Sequence, residues 1–332
     1  MPLKQGVKNL KLNKLALVAC TALAPALLPT SAQACGTVSI TEMSWASAQV
    51  VTAVAKFIME NGYGCEVATV PSDTVPSVAS LAENNEPDIV TELWTNSTGE
   101  VFDRLLAEGK VVRSGKVIDP GGVEGWWVPA YLADAHPELA TLEGVLANPE
   151  LVGGMFHNCP TGWGCRVIND SLIPHTGFEA AGIEVFDHGS GETLATSIAS
   201  AYSSKAPWFG YYWAPTAVLG KYKMTRVRIA DYDADIHSAN VNADSPNSAL
   251  SDFPEAPVYT VVTTDFASRE PAIAELMSKM SFDVQVMNEL VSWKDENGAT
   301  TDQTAAYFVT NYGSVWGDWL SDEAKAKLSS LL

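Results

Sequence analysis

Pro87-Asp88-Ile89-Val90-Thr91-Glu92-Leu93-Trp94 reads as a β-strand. A proline opens it, β-branched and aliphatic residues fill it, and a tryptophan closes it. Working back towards the N-terminus, two more strands are predicted at 38–43 and 65–70. Between them Val50, Val51, Val54, Phe57 and Ile58 recur at helical spacing, with Ser44 as the expected N-cap and Gly62 as the expected stop. A second helix is predicted at 74–83, and a third after Trp94 as far as residue 108. This βαβαβ order implies a right-handed crossover and a mostly parallel sheet with helices on both faces. In such sheets ligands bind beyond the C-terminal strand ends, where Trp45 and Trp94 stand.

Further on, Gly121-Gly122-Val123-Glu124-Gly125-Trp126-Trp127-Val128-Pro129 is a glycine-flanked strand that fits a crossover into a second lobe. The alternation then restarts, with helical patterns at 142–147, 165–172 and 193–203 and strands at 151–157, 183–186 and 208–213. A strand at 258–263 returns to the first lobe. The remainder is helical near 271–280, 283–296, 301–311 and 321–331. The expected architecture is α/β in two lobes with a ligand cleft between them. Residues 35–128 begin lobe 1, 129–255 form lobe 2, and 256–332 return to lobe 1 and close the chain with helices. About 300 residues suit two lobes of ordinary size.

Residues 1–34 read as an export signal. Lys4, Lys8, Lys11 and Lys14 precede an apolar run at 15–28, and Ala32-Gln33-Ala34 offers a cleavage site before Cys35. Pro25 and Pro29 interrupt the run, which argues against a transmembrane anchor. Leu17-Val18-Ala19-Cys20 resembles a lipoprotein box but lies too close to Lys14 to leave room for a hydrophobic region. The expectation is therefore a soluble, exported protein. Removing four lysines and no acid takes the formal net charge from −19 to −23. Such a charge disfavours nucleic acid or an anionic membrane as partner and suits attraction of a small cation, though plain solubility explains it equally well.

Four cysteines remain after cleavage, and in an oxidising compartment an even count favours disulfides. Cys35 precedes the first strand and Cys65 begins the second. If these strands are parallel neighbours, their N-terminal ends adjoin, so Cys35–Cys65 and Cys159–Cys165 is the expected pairing. Zinc is the competing explanation, but C-x5-C without a nearby histidine pair is poor zinc spacing.

The chain uses 10 Trp against 10 Phe and 10 Tyr, more indole than core packing asks for. Trp45, Trp94, Trp127, Trp163 and Trp213 each lie beside a strand end or a glycine-rich turn. A cation without N–H groups can be gripped only through its charge and its methyl surface, and an aromatic face supplies a match for both. Ordinary core or hinge packing is the plainer explanation for each ring. Trp126 is expected to pack, since adjacent strand residues face opposite sides, and Trp208 to face away from Trp213 for the same reason. Trp293, Trp316 and Trp319 fall in C-terminal helices and read as packing residues.

Asn158-Cys159-Pro160-Thr161-Gly162-Trp163-Gly164-Cys165, with Glu92-Leu93-Trp94 and Phe209-Gly210-Tyr211-Tyr212-Trp213-Ala214-Pro215, resembles the periplasmic binding proteins of glycine betaine, proline betaine, choline and trimethylamine N-oxide ABC importers. The resemblance covers essentially the whole mature chain. It implies a type II-like two-lobe periplasmic-binding-protein fold and a non-catalytic monomer that works with an ABC permease and its ATPase subunit. It also implies that Trp94, Trp163 and Trp213 box a trimethylammonium head. The backbone N–H groups of Gly164 and Cys165, at a helix start, would then meet the ligand's anionic end. Trp45 and Trp127 are extra indoles near the cleft, which favour a small ligand such as trimethylamine N-oxide or glycine betaine. No cofactor and no metal are expected.

The competing class is an exported hydrolase using a carboxylate pair in the same cleft. Asp88 and Glu92, four apart on a strand, are one such pair, although that spacing is a common accident. None of the five histidines makes a metalloprotease motif, and no nucleophile elbow occurs. His157, two residues before Cys159, invites a thiol-enzyme reading that a disulfide would remove. Asp231-Tyr232-Asp233-Ala234-Asp235 with Asn240, Asn242, Asp244 and Asn247 could offer calcium oxygens but lacks the EF-hand pattern and reads as a solvated loop. The Asn96-Ser97-Thr98 sequon is read as chance. No repeat or low-complexity stretch supports a structural or adhesive role.

Overall fold

The computed structural model of the protein describes residues 35–243 and 245–332. The expected export segment lies outside them. Ten strands form one continuous sheet: β1 (Thr37–Met43), β2 (Glu66–Ser72), β3 (Ile89–Trp94), β4 (Val111–Pro129), β5 (Met155–Asn158), β6 (Glu184–Asp187), β7 (Gly210–Ala214), β8 (Met224–Val227), β9 (Glu255–Thr263) and β10 (Phe282–Asp283). Their spatial order is β2-β1-β3-β9-β4-β7-β5-β6, with β8 and β10 also paired to β4.

Two strands join the lobes. β4 pairs with β9 from Val111 to Val123, then with β7 from Val123 to Trp127, so its partner changes within a single strand. β9 begins beside that change and leads the chain back. Parallel pairing holds among the outer strands, β2-β1-β3 in one lobe and β7-β5-β6 in the other. The middle is antiparallel, because strands that shuttle between lobes must run in opposite directions. The sheet is therefore mixed.

β3 is buried along its whole length, as expected of a strand near the sheet centre with helices on both faces. The Ala46–Ile58 helix buries Val50, Val51, Val54 and Ile58 and packs against the Thr301–Asn311 helix. Its N-cap is Trp45, not Ser44, and no side chain caps it. Ser44 instead donates from its hydroxyl to Asp73 Oδ1 at 2.6 Å. The helix also runs past Gly62 through a wide turn at Met59–Tyr63 and stops at Gly64, whose φ of 73° suits glycine.

Cys35 is bonded to Cys65 and Cys159 to Cys165. The first bridge ties the N-terminal ends of β1 and β2. The second closes the loop leading into the Gly164–Leu172 helix. Among the described residues no helix is long and apolar enough to cross a membrane.

Candidate ligand-binding site

Four tryptophans converge where the two lobes meet. Trp45 follows β1, Trp94 ends β3, Trp163 directly precedes the Gly164–Leu172 helix, and Trp213 lies near the end of β7. All four line one small cavity, together with Tyr211, Glu124, Ser97, Thr74, Gly164 and Cys165. Trp163 is the keystone. Its ring stands edge-on to Trp45 (5.3 Å, 71°) and to Trp213 (5.0 Å, 85°), giving walls at right angles to one another. Gly122 of β4 backs Trp94; a Cβ there would overlap the indole.

The lobes are closed on each other around this cavity. Trp163 Nε1 donates to Ser44 Oγ at 2.9 Å, and the Val75 amide donates to the Gly162 carbonyl at 3.0 Å. His237 Nε2 reaches the Asn96 carbonyl at 2.9 Å. The helix beginning at Gly164 has no side-chain cap, and its first residues, Gly164 and Cys165, line the cavity at the positive end of the helix dipole. Gly164 also abuts Ser97, and a Cβ would run into that side chain and its carbonyl. Gly164→Ala should therefore hold the lobes apart and cost about 1–3 kcal/mol of ligand affinity with the fold intact, measurable by calorimetry.

Two buried carboxylates flank the indoles. Glu124 lines the cavity itself; its Oε1 accepts from the Tyr211 hydroxyl at 2.6 Å and its Oε2 from Asn96 Nδ2 at 2.5 Å. Burial raises its pKa, against the lowering effect of those two hydrogen bonds. Glu92 is fully buried, and its Oε1 accepts from Trp45 Nε1 at 2.6 Å, Ser47 Oγ at 2.7 Å and Trp94 Nε1 at 3.4 Å. Burial pushes its pKa up to about 7, with the three hydrogen bonds opposing. A β-bulge shapes this corner: three steps along β3, from Val90 to Leu93, match two along β9, from Val261 to Tyr259. Glu92 takes up the extra residue with a φ of 47°, a conformation that costs a glutamate energy and has to be held by its surroundings.

Of the residues expected at the site, Trp45, Trp94, Trp163, Gly164, Cys165 and Trp213 lie together on the cavity wall. Trp127 does not. It sits three residues from Glu124 on β4, hence on the opposite face, and its Nε1 donates to the Tyr212 carbonyl at 2.9 Å. Trp126 is fully buried among Phe156, Phe178 and Phe209, with Nε1 donating to Asn169 Oδ1. Trp208 stacks on His157 (5.2 Å, 6°) away from the cavity. His157 pairs with His188 at 2.9 Å, and Cys159 is in its disulfide, so no thiol–imidazole dyad exists there. Asp88 bonds Ser39 and Arg269 rather than approaching Glu92. Asp233 caps the Ala234–Asn240 helix; Asp244 lies outside the described residues.

From sequence Glu92 figures only as half of an accidental carboxylate pair with Asp88, and Glu124, Tyr211, Ser97 and Thr74 are not expected at the site. An acid embedded in an otherwise apolar or glycine-rich strand is the signal that both glutamates carry. Nothing local marks Ser97 or Thr74.

Two α/β lobes thus close over a small aromatic cavity, the layout of a cleft between two lobes. Residues 36–311 match the family described as the substrate binding domain of ABC-type glycine betaine transport systems, and the chain belongs to that family. It is 23% identical over 211 residues to the glycine betaine/proline betaine-binding periplasmic protein of Escherichia coli (strain K12), a match spanning 59% of this chain and 61% of that relative's length. The fold is similar to that of an ABC-transporter choline binding protein in complex with choline (TM-score 0.72, 20% identity, 90% of this chain and 98% of that one). It is also similar to a glycine betaine/L-proline-binding protein from Borrelia burgdorferi (TM-score 0.70, 14% identity, 88% and 99%). A lactococcal protein in its closed, liganded conformation with glycine betaine aligns with TM-score 0.66 at 16% identity over 86% and 100%.

Proposed function

We propose that the protein is a periplasmic receptor for a small trimethylammonium-type osmolyte, trimethylamine N-oxide or glycine betaine, which it passes to an ABC permease and its ATPase subunit. It is a binding protein and not an enzyme. The observation that carries this reading is the cavity itself: four indoles and a phenol, with Trp163 set edge-on to both Trp45 and Trp213, and a buried carboxylate in the wall. Each aromatic face on a cation is worth ~0.5–2 kcal/mol. Several faces, with a hydrogen bond from the Gly164 or Cys165 amide to the ligand oxygen, account for micromolar affinity, about −8 kcal/mol. The cage draws on both lobes, so ligand binding favours the closed shape that a permease can recognise.

The test is a calorimetric panel. Affinity should fall from trimethyl to dimethyl to monomethyl analogues, because an N–H left without an acceptor costs roughly 1–3 kcal/mol. Trimethylamine N-oxide and glycine betaine should exceed tetramethylammonium, which offers the helix amides nothing, and choline should fall between or below. A cavity this small should refuse carnitine. Tight carnitine binding, equal binding of glycine and its trimethylated form, or turnover of any ligand would sink the reading.

A further inference from the structure

Glu92 is a buried carboxylate that the cage requires for its shape and that nothing in the protein neutralises. It forms no ion pair, its Oε2 has no hydrogen-bond partner among the described residues, and its Oε1 holds the N–H groups of two cavity indoles, Trp45 and Trp94. The groups packed against it are uncharged: Trp45 and Ser47 at the start of the Ala46–Ile58 helix, Trp94 on its own strand, and Thr41 of β1 bonded to neighbouring Thr91. Tyr259 of β9 pairs with the adjacent Leu93. Glu92 itself lies behind the cavity wall, whose one carboxylate is Glu124, of the same sign; Lys294 with Asp295 line a separate cleft that Trp45 also borders. A charge so placed is costly unless a counter-ion arrives.

We propose that Glu92 is the positioning residue of the cage, setting the Trp45 and Trp94 rings by their N–H groups, and that the bound cation is its counter-ion, so that ligand capture expels a proton from Glu92. The inference rests on the cationic-ligand reading above. In the empty protein burial keeps Glu92 protonated up to about pH 7. A cation behind the Trp45 and Trp94 rings favours the ionised form, and linkage then makes binding release a proton below that pH. Affinity rises with pH through about 7 and levels off above it. The stability of the empty protein moves the other way. A carboxyl raised from 4.5 to about 7 contributes stability that is fully present below 4.5 and is lost as pH rises through about 7.

The probes are tetramethylammonium and glycine betaine, neither of which titrates over this range. Calorimetry in buffers of different ionisation enthalpy should show close to one proton released per ligand at about pH 6 and almost none at about pH 8.5. In Glu92→Gln the release should disappear, the affinity should become flat with pH, and tetramethylammonium binding at about pH 8 should weaken about tenfold. The empty Glu92→Gln protein should melt higher than wild type at about pH 8.5, with that gain gone at about pH 5. A residue that only packs would instead lower the melting temperature at every pH. In Glu124→Gln affinity changes but proton release should persist; its loss there would assign the proton to Glu124 and overturn the proposal. Binding without proton release in wild type, or release retained in Glu92→Gln, would overturn the counter-ion while leaving the functional reading standing. If neither probe binds at any pH, both fall together.

Discussion

Trp163→Ala should lower affinity for the best ligand of the panel by about 3 kcal/mol, close to 150-fold, at the upper end of what one cage residue supplies. Trp163 is one face of the cage, but it also stands edge-on to both Trp45 and Trp213 and holds the lobes together through Ser44. Its removal takes away a contact to the cation, the support of two neighbouring rings and a bond across the closed cleft. Trp94→Ala and Trp213→Ala should cost less, about 1–3 kcal/mol each, and the losses should not add, because all the faces share one cation. Phenylalanine should recover part of the binding at each position. Calorimetry on the folded variants decides the matter; wild-type affinity in all three alanine variants would mean the cage lies elsewhere.

Trp126→Ala should cost stability rather than recognition, by about 4 kcal/mol. The ring is fully buried in a cluster with Phe156, Phe178 and Phe209. Its N–H donates to Asn169 Oδ1, while Asn169 Nδ2 donates to Asn158 Oδ1, which also accepts from the Cys159 amide. Alanine would open a large cavity and strand a buried acceptor in that chain. Denaturant melts of the empty protein should show the loss, and a change of under about 1 kcal/mol would show that this core does not depend on the indole. The contrast between two tryptophans so different in role separates the packing and binding uses of the same side chain.

Much of this architecture was legible without coordinates. The strands at β1, β3 and β9, and the helices at Ala46–Ile58, Leu142–Ala147 and Thr301–Asn311, follow from apolar periodicity and turn residues. Periodicity fails where a strand's neighbours change along its length. β4 runs for 19 residues, yet only its glycine-flanked end was read as a strand, because its first half alternates weakly and carries Arg113, Gly115 and Lys116. The mixed pairing in the middle of the sheet was likewise hidden, since strand direction depends on which lobe the next segment enters.

The export pattern, the acidic charge, the even cysteine count and the spacing of indoles beside strand ends are properties of the linear chain, and the sequence determines them alone. Which indoles face the ligand was decided in three dimensions. Trp126 and Trp127 are adjacent and of one type, but strand alternation and the paths of β7 and β8 bury one in the core and turn the other away from the cavity. The two glutamates illustrate the same limit more sharply. Glu92 sits behind the cage, at the N–H groups of Trp45 and Trp94, where a bulge opposite β9 turns its backbone to a positive φ, and Glu124 meets Tyr211 because β4 pairs with β7, and Asn96 because the chain turns back after β3. Bulges and strand pairing arise from contacts between segments far apart in the chain, and a local pattern holds no record of them.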